Sequence, residues 1–217
     1  NKIYEYSFTV PTNRVKGFGY PRNDFLCKQK NAADASNRRC EKRSILYAPT
    51  YRNSALTAPL SVSDIQVINE ICFNFNMHFD IKLHPIDFAR LNADMVNASN
   101  VRLLDQSLDL NEILSNYDLL ISDYSGVIVD FLLLDRPIIL YVFDYVQFKQ
   151  DQGLYNSFDI FLQYGEVASD KDVLFDYLVK FGKFELEFDN TELLEFYHDF
   201  TDSCASERYY SFLVNPL

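Results

Sequence analysis

Residues 118–144, DLLISDYSGVIVDFLLLDRPIILYVFD, constrain the fold more than any other part of the sequence. The apolar run at 119–121 is short and ends in a β-branched residue, which is typical of a strand buried on both faces. A polar turn follows at 122–126, and the apolar segment after it must stop before Pro137, because proline cannot continue a helix. Another apolar run begins at Ile138. The segment therefore predicts a strand, a turn, a short buried helix and a second, parallel strand.

The turn between the predicted strand and helix has the composition of an anion-binding site. It carries hydroxyl groups, a carboxylate and one glycine at the point where a helix begins. In open α/β sheets ligands bind at this edge, and N–H groups at a helix start attract phosphate. We expect Ser125 and Gly126 to face a phosphate, and Asp130 to reach the ribose of a nucleotide or, as a buried carboxylate, to need another partner. A plainer interpretation is that Ser122 or Ser125 only caps the helix and that water solvates Asp130.

The rest of the chain alternates predicted strands and helices. We expect further strands at 44–48, 79–83 and 101–104, and helices at 61–76, 86–95, 109–114, 170–181 and 191–212. Residues 6–10 are predicted to be extended, 13–24 to form a turn-rich connector, and 28–43 to form an exposed helix or loop. Five strands alternating with helices predict an α/β fold with a Rossmann-like, doubly wound, mostly parallel sheet.

Two more candidate binding positions lie where predicted strands end. Thr50 and Arg52 follow the strand at 44–48, and the planar fork of an arginine matches phosphate oxygens. His84 follows the strand at 79–83, on the same edge of a parallel sheet. A surface arginine and a structural histidine are the plainer alternatives.

Charge and cysteine content exclude several classes of protein. The formal net charge of −11 argues against nucleic acid as a partner, because such binding depends on neutralising phosphates. Four scattered cysteines and three histidines lack metal-ligand spacing, so we predict no zinc site and a reducing cytoplasm. Basic residues gather in the first quarter of the chain, where they indicate either an anionic partner, a membrane surface or chance clustering. They are Arg14, Lys16, Arg22, Arg38, Arg39, Lys42, Arg43 and Arg52.

Five short motifs, in this order, resemble those of one family. They are GYPRND at 19–24, LYAPTYR at 46–52, HP at 84–85, SDYS at 122–125 and DRP at 135–137. Between about residues 13 and 155 the chain resembles the CDP-glycerol glycerophosphotransferases, which are the polymerases and primases of teichoic acids and related capsule polymers. The resemblance implies a bacterial transferase of the GT-B type, with two Rossmann-like domains.

On this resemblance the chain is the C-terminal, nucleotide-binding half of such an enzyme. Residues 1–43 are then expected to be the end of the N-terminal domain and a linker, and 44–190 the nucleotide-binding domain. Residues 191–217 are expected to form a helix that packs back toward the missing N-terminal half.

The resemblance also implies roles for individual residues. Arg52 and the Ser125–Gly126 turn are expected to hold the diphosphate of CDP-glycerol or a related CDP-alditol, Asp130 the ribose, and residues 141–144 the cytosine. His84 is expected to stabilise charge on the transferring phosphate or on the departing CMP. The predicted substrate-binding set is Thr50, Arg52, Ser122, Asp123, Ser125, Gly126, Asp130 and Asp144.

The implied reaction is attack by an acceptor hydroxyl on the β-phosphorus of the donor, with release of CMP. The acceptor is expected to be a polymer or lipid-linked molecule at the inner face of the cell membrane, and the missing N-terminal domain a partner. No metal cofactor is expected to be obligatory, although Mg²⁺ can enter on the donor diphosphate.

Three departures from the family pattern keep alternatives open. No candidate for the N-terminal catalytic histidine precedes His78, Gln152 precedes Gly153 where the family often has arginine, and QYGE stands at 163–166 in place of Pro-Gly-Pro. One alternative is a GT-B enzyme that uses another nucleotide sugar, such as a capsule sugar-phosphate polymerase. Another is a non-catalytic scaffold module of a polymer-assembly complex.

Overall fold

A six-stranded parallel sheet forms the centre of the molecule in a computed structural model, which describes residues 15–35, 42–52, 60–84 and 98–215. The strands are β1 Arg43–Ala48, β2 Met77–Ile81, β3 Val101–Leu103, β4 Leu119–Ser122, β5 Ile138–Tyr141 and β6 Glu166–Ala168. Their order is β3-β2-β1-β4-β5-β6, and every neighbouring pair is parallel. The structure confirms the predicted doubly wound sheet. It adds β6, which the sequence analysis missed, and begins and ends β2 two residues earlier than predicted.

Helices cover both faces of the sheet. They are α1 Asn23–Ala35, α2 Val62–Asn74, α3 Leu110–Ile113, α4 Val127–Leu132, α5 Tyr145–Asp151, α6 Phe158–Tyr164, α7 Lys171–Gly182, α8 Thr191–Tyr197 and α9 Ala205–Val214. On one face α1, α4, α6 and α8 pack against Leu46, Leu120 and Leu140. On the other face α2 and α7 pack against residues such as Leu119 and Ile121. Neighbouring residues of one strand therefore enter opposite cores, which explains why β4 is apolar at three successive positions.

The start of α2 shows how a local sequence signal fixes a helix end. The Ser61 side chain accepts a hydrogen bond from the Asp64 N–H, and the Asp64 carboxylate accepts one from the Ser61 N–H at 2.9 Å. This reciprocal capping satisfies two N–H groups that the helix itself leaves unpaired.

The predicted C-terminal helix at 191–212 is wrong as a single element. The chain leaves helical geometry at His198 and re-enters it at Ala205, giving α8 and α9. The Asp24 carboxylate accepts hydrogen bonds from the N–H groups of Ala205 and Ser206, each at 2.8 Å. A residue distant in sequence therefore stabilises the start of α9. No local sequence pattern predicts this contact.

The N-terminal assignment also changes. Helix α1 begins at Asn23, inside the predicted connector, and its residues Leu26 and Cys27 lie in the core. Helix α1 packs against α3, α8 packs against α4 and α6, and α9 packs against α1, while the predicted division into an upstream piece and a nucleotide-binding domain stays a prediction. The predicted extended piece at 6–10 and the helix at 86–95 fall outside the described residues.

Candidate nucleotide site

A cavity of about 710 Å³ opens at the carboxyl edge of the sheet, where the strand order reverses between β1 and β4. This switch point is the position at which open α/β sheets bind ligands. The lining residues come from the segments that follow β1, β2, β3 and β4. They are Ala48, Pro49, Thr50, Tyr51, Lys82, Leu83, His84, Gln106, Leu108, Asp109, Leu110, Tyr124, Ser125 and Gly126.

The Ser125–Gly126 turn presents unpaired donors to this cavity. Within the described part of the chain, the backbone N–H groups of Ser125 and Gly126 have no protein acceptor, while the Ser125 hydroxyl accepts a hydrogen bond from the Val127 N–H at 3.3 Å. Gly126 has φ −61°, a value open to any residue, and a Cβ added there would meet no atom within 4 Å. The glycine is therefore not required by the backbone conformation; it leaves open space in front of two free N–H groups.

The ends of β1 and β2 supply further polar groups. The His84 ring lies 5.2 Å from the Tyr51 ring, and both residues line the cavity. The Lys82 ammonium donates to the backbone oxygens of Asp105 and Gln106 at 2.8 and 3.0 Å. Burial lowers the pKa of Lys82, and the Asp105 carboxylate opposes that effect. Lys82 thus ties the end of β2 to the segment that follows β3.

Two polar atoms of this wall are buried and have no hydrogen-bond partner in the described residues. They are the hydroxyl oxygen of Thr50 and the Oε1 atom of Gln106. Buried polar atoms are nearly always paired in folded proteins. Both atoms have almost no accessible surface, so they lie behind the cavity surface and are not positioned to contact a ligand directly.

Arg52 lies behind this wall, held by two carboxylates. Its Nε donates to Asp144 at 2.6 Å, and its Nη2 donates to Asp123 at 2.8 Å and to Asp144 at 3.1 Å. Its Nη1 donates to the Thr50 carbonyl oxygen at 2.5 Å. Burial opposes the charge of Arg52, but these hydrogen bonds outweigh it and raise the pKa of the guanidinium.

This arginine cluster braces the segments that follow β1, β4 and β5. Asp123 also accepts hydrogen bonds from the Thr50 N–H at 2.8 Å and the Tyr124 N–H at 2.7 Å. The Tyr124 hydroxyl donates to Asp144 at 3.0 Å, and its ring stacks on Phe148 at 3.9 Å. Burial and the Asp144 carboxylate raise the pKa of Tyr124, so its hydroxyl remains a donor. The cluster therefore sets the positions of Thr50 and Tyr124 in the cavity wall.

The structure brings four of the sequence-predicted residues to the cavity. Thr50, His84, Ser125 and Gly126 all line it. Ser122 does not: it is fully buried, and its hydroxyl donates to the Ala48 carbonyl oxygen at 2.6 Å. Its predicted contact with the substrate stays a prediction.

Arg52, Asp123 and Asp144 also lie elsewhere, and their predicted contact with the substrate stays a prediction. All three lie outside the cavity lining, and their charged groups face one another. Arg52 was expected to touch the substrate because it follows a strand at the ligand-binding edge, Asp123 because it lies in the polar turn, and Asp144 because the family resemblance implies it. The pairing of an arginine with two carboxylates is the competing interaction that sequence position alone does not exclude.

Asp130 is also absent from the cavity lining. Its carboxylate accepts hydrogen bonds from Arg22 Nη2 at 3.0 Å and from Asn23 Nδ2 at 2.9 Å, and it is buried. The prediction that the Asp130 carboxylate needs a partner is confirmed. These hydrogen bonds link α4 to the start of α1, and the expected ribose contact stays a prediction.

Residues 141–144, expected to frame cytosine, do not line the cavity either. Its wall includes other residues that were not predicted as site residues, namely Lys82, Gln106, Leu108, Asp109 and Leu110. Lys82 could have been found, since β2 ends at Ile81 and Lys82 then takes the first position of the binding edge. Because the predicted strand ended at Leu83, Lys82 was assigned to the strand and not to the binding edge.

Comparison with protein families gives a match over almost the whole chain. The model of the CDP-glycerol:poly(glycerophosphate) glycerophosphotransferases matches residues 1–215. The chain belongs to this family. It is 30% identical over 192 residues to a teichoic acid glycerol-phosphate primase of Bacillus spizizenii, covering 85% of this chain and 48% of that protein. It is 31% identical over 187 residues to the teichoic acid ribitol-phosphate polymerase TarL of Staphylococcus aureus, covering 81% of this chain and 33% of that protein.

Solved structures show the same fold. The wall teichoic acid polymerase TagF aligns with a TM-score of 0.72 at 22% identity, over 97% of this chain and 53% of that chain. A UDP-GlcNAc 2-epimerase of Methanocaldococcus jannaschii aligns with a TM-score of 0.57 at 14% identity, over 95% of this chain and 56% of that one. This member of the glycerophosphotransferase family thus spans between a third and about half of the length of the curated relatives named above.

The described residues carry neither a membrane-spanning helix nor a cluster of metal-ligating side chains. None of the helices there is long and apolar enough to cross a bilayer. Over the same residues no group of three or more histidine, cysteine, aspartate or glutamate side chains is arranged to hold a metal ion.

Proposed function

We propose that this chain binds the donor nucleotide of an alditol phosphotransferase that takes part in teichoic acid or related polymer synthesis. The donor is CDP-glycerol or a related CDP-alditol, with glycerol phosphate as the transferred group. Family membership over residues 1–215 supports the reaction class. The relatives named above act on glycerol phosphate or ribitol phosphate, which supports an alditol donor.

The observation that carries this proposal is the open turn at Ser125–Gly126. Two N–H groups without a protein acceptor in the described residues belong to Ser125 and Gly126, which line a cavity at the switch point of the sheet, and a Cβ added at Gly126 would meet no atom within 4 Å. Successive backbone N–H groups form a concave site that suits an anion such as a diphosphate. His84 lines the same cavity and can donate a hydrogen bond to a phosphate oxygen.

The reaction we propose conserves both phosphates. The acceptor hydroxyl oxygen forms a bond to the β-phosphorus, and the bond from that phosphorus to the bridging oxygen breaks, so that CMP leaves with the electron pair. The hydroxyl proton passes to a base supplied by the rest of the enzyme. The chain's own contribution is to fix the diphosphate in line and to offset charge on its oxygens.

The acceptor, the second domain and the cellular location belong to the same proposal. We place a polymer or lipid-linked acceptor at the inner face of the cell membrane, opposite an N-terminal domain that completes the cleft. A divalent ion such as Mg²⁺ is carried by the donor diphosphate, because the carboxylates of Asp123 and Asp144 are held by Arg52.

Calorimetric titration of the chain with CDP, combined with a transfer assay on the natural full-length protein, tests this function. CDP should bind to the chain alone. His84→Ala should lower turnover of the full-length enzyme by about 10²–10³, the usual effect of removing one donor to developing charge. His78→Ala is the matched control, since His78 lies on β2 outside the cavity lining. Absence of CDP binding, or equal turnover in the two variants, would overturn the proposal.

A further inference from the structure

A buried lysine stands at the end of β2, in the wall of the candidate nucleotide cavity. Lys82 belongs to the cavity lining, yet it is only 8% exposed. Its ammonium donates to the backbone oxygens of Asp105 and Gln106 at 2.8 and 3.0 Å. Removing an ammonium from water costs free energy unless hydrogen bonds offset the cost, and a methionine of similar length would fill the space without that cost. A lysine at this position therefore points to a task for the hydrogen bonds themselves.

These hydrogen bonds join two segments of the cavity wall that follow different strands. The backbone pairing of β2 with β3 ends where the Leu104 N–H donates to the Ile81 carbonyl oxygen at 2.9 Å. Beyond that point the Lys82 side chain continues the connection, to residues that lie 23 and 24 positions further along the chain. The segment that it reaches also brings Leu108 and Asp109 into the lining.

The same lysine fixes the approach of the backbone to His84, two residues further along. Its N–H donates to the Tyr47 carbonyl oxygen at 2.9 Å, which holds it against β1. Leu83, between the two, is buried in the core that α2 and α7 share. His84 itself is exposed, and its ring lies 5.2 Å from the Tyr51 ring. The position of this exposed ring therefore depends in part on how firmly the two preceding residues are held.

We infer that Lys82 is a positioning residue, which holds the end of β2 in the geometry that brings the His84 ring to the transferring phosphate. This inference rests on the proposed function. Misplacing a reacting group by about 1 Å can cost about 10²-fold in rate. The Ser125–Gly126 turn belongs to another part of the lining, which follows β4. Loss of Lys82 should therefore affect the chemical step more than it affects binding of the donor.

Steady-state kinetics of the natural full-length protein tests the inference. Lys82→Met should lower kcat by about tenfold to 10²-fold, while the KM for the donor changes by less than about threefold. Lys82→Arg keeps several N–H donors on a long side chain and should recover most of the rate. Lys171→Met is the matched control, because Lys171 is 53% exposed and lies outside the cavity lining, and it should behave as the unmodified enzyme.

A double-mutant cycle separates positioning from an independent role. If Lys82 acts through His84, Lys82→Met should have almost no further effect on kcat in a His84→Ala background, because the group that it positions is gone. Equal losses of kcat in the two backgrounds would show that Lys82 acts independently, and the inference would fall. If Lys82→Met does not fold, Lys82→Gln takes its place in the cycle, since its shorter amide cannot hold both oxygens in the same way.

The imidazole signals of the chain in two-dimensional NMR give a second readout, with three histidines to assign. Lys82→Met should shift the His84 signals and reduce their response to CDP, while the signals of His198, which is bonded to the Val129 oxygen, stay in place. Unchanged His84 signals, an unchanged kcat or a loss confined to KM would overturn the role of Lys82, and the proposed function would still stand if the chain binds CDP. Failure of the unmodified chain to bind CDP would refute the proposed function itself.

Discussion

The arginine cluster behind the cavity gives the sharpest quantitative prediction. The Arg52 side chain is 7% exposed, and its partners Asp123 and Asp144 are 2% and 11% exposed. Arg52→Met keeps much of the side-chain volume but leaves two buried carboxylates without their cation. Breaking a buried ion pair from one side costs about 3–5 kcal/mol, a large part of the about 5–15 kcal/mol that stabilises a typical domain. We expect a loss of that size in the free energy of unfolding.

Urea denaturation followed by circular dichroism measures this loss. The matched control is Lys171→Met, because Lys171 is paired with Asp64 at 3.1 Å but is 53% exposed. A surface ion pair of this kind contributes about 0–1 kcal/mol. Adding Asp144→Asn to Arg52→Met should recover part of the stability, since it removes one of the stranded charges. A loss below about 1 kcal/mol in Arg52→Met would refute the bracing role.

Ligand binding distinguishes bracing from direct phosphate contact. If Arg52 positions the wall that includes Thr50 and Tyr124, Arg52→Met should weaken cytidine and CDP by similar factors. If Arg52 touches the diphosphate, as the sequence predicted, only CDP should weaken. Parallel titrations with the two ligands decide between these roles.

Three further outcomes follow from other parts of the structure. Gly126→Ala should leave the unfolding midpoint nearly unchanged, because its Cβ meets no protein atom, yet weaken CDP binding by about tenfold or more by filling the space before the free N–H groups. Asp24→Ala should lower the free energy of unfolding by about 1–2 kcal/mol in urea titrations, because two N–H groups at the start of α9 lose their cap. Burial lowers the pKa of His198, although its hydrogen bond to a backbone oxygen opposes this, so the unfolded chain binds the proton more readily. Stability should therefore fall as the pH drops below about 6.5, and His198→Gln should flatten part of that decline in urea titrations at pH 7 and pH 5.

For each of these three predictions, one outcome would contradict the reasoning. A marked loss of stability in Gly126→Ala would mean that the turn depends on glycine for its shape. An unchanged unfolding midpoint in Asp24→Ala would show that α9 begins without its distant cap. An identical pH profile in His198→Gln would place the acid sensitivity elsewhere, for instance at His78, whose pKa burial also lowers.

Local sequence patterns predicted most strands of the sheet, because apolar runs and capping residues are signals contained within a few neighbouring residues. Apolar runs placed β1, β4 and β5, and the Ser61–Asp64 pair placed the start of α2. The break between α8 and α9 could not be read in this way, since it depends on Asp24, about 180 residues earlier in the chain. Strand β6 is three residues long and too short to show a period.

The sequence predicted where the candidate site lies, but not which charged side chains pair with one another there. That Thr50, His84 and Ser125 would meet follows from the rule that parallel strands end at one edge, and the structure places them there. Whether Arg52 faces a phosphate or a carboxylate depends on Asp123 and Asp144, which are 71 and 92 residues away in the chain. The sequence shows that each is charged, and only the fold shows that they are neighbours.

The short stretch from Arg22 to Asp24 has a practical consequence for building hybrid enzymes. Arg22 and Asn23 bind Asp130 on α4, and Asp24 binds the start of α9, so three consecutive side chains connect this stretch both to α4 and to α9. A chimera that joins this chain to a foreign N-terminal domain should place its junction upstream of Arg22. A splice made nearer to β1 would remove those contacts and yield a hybrid that misfolds.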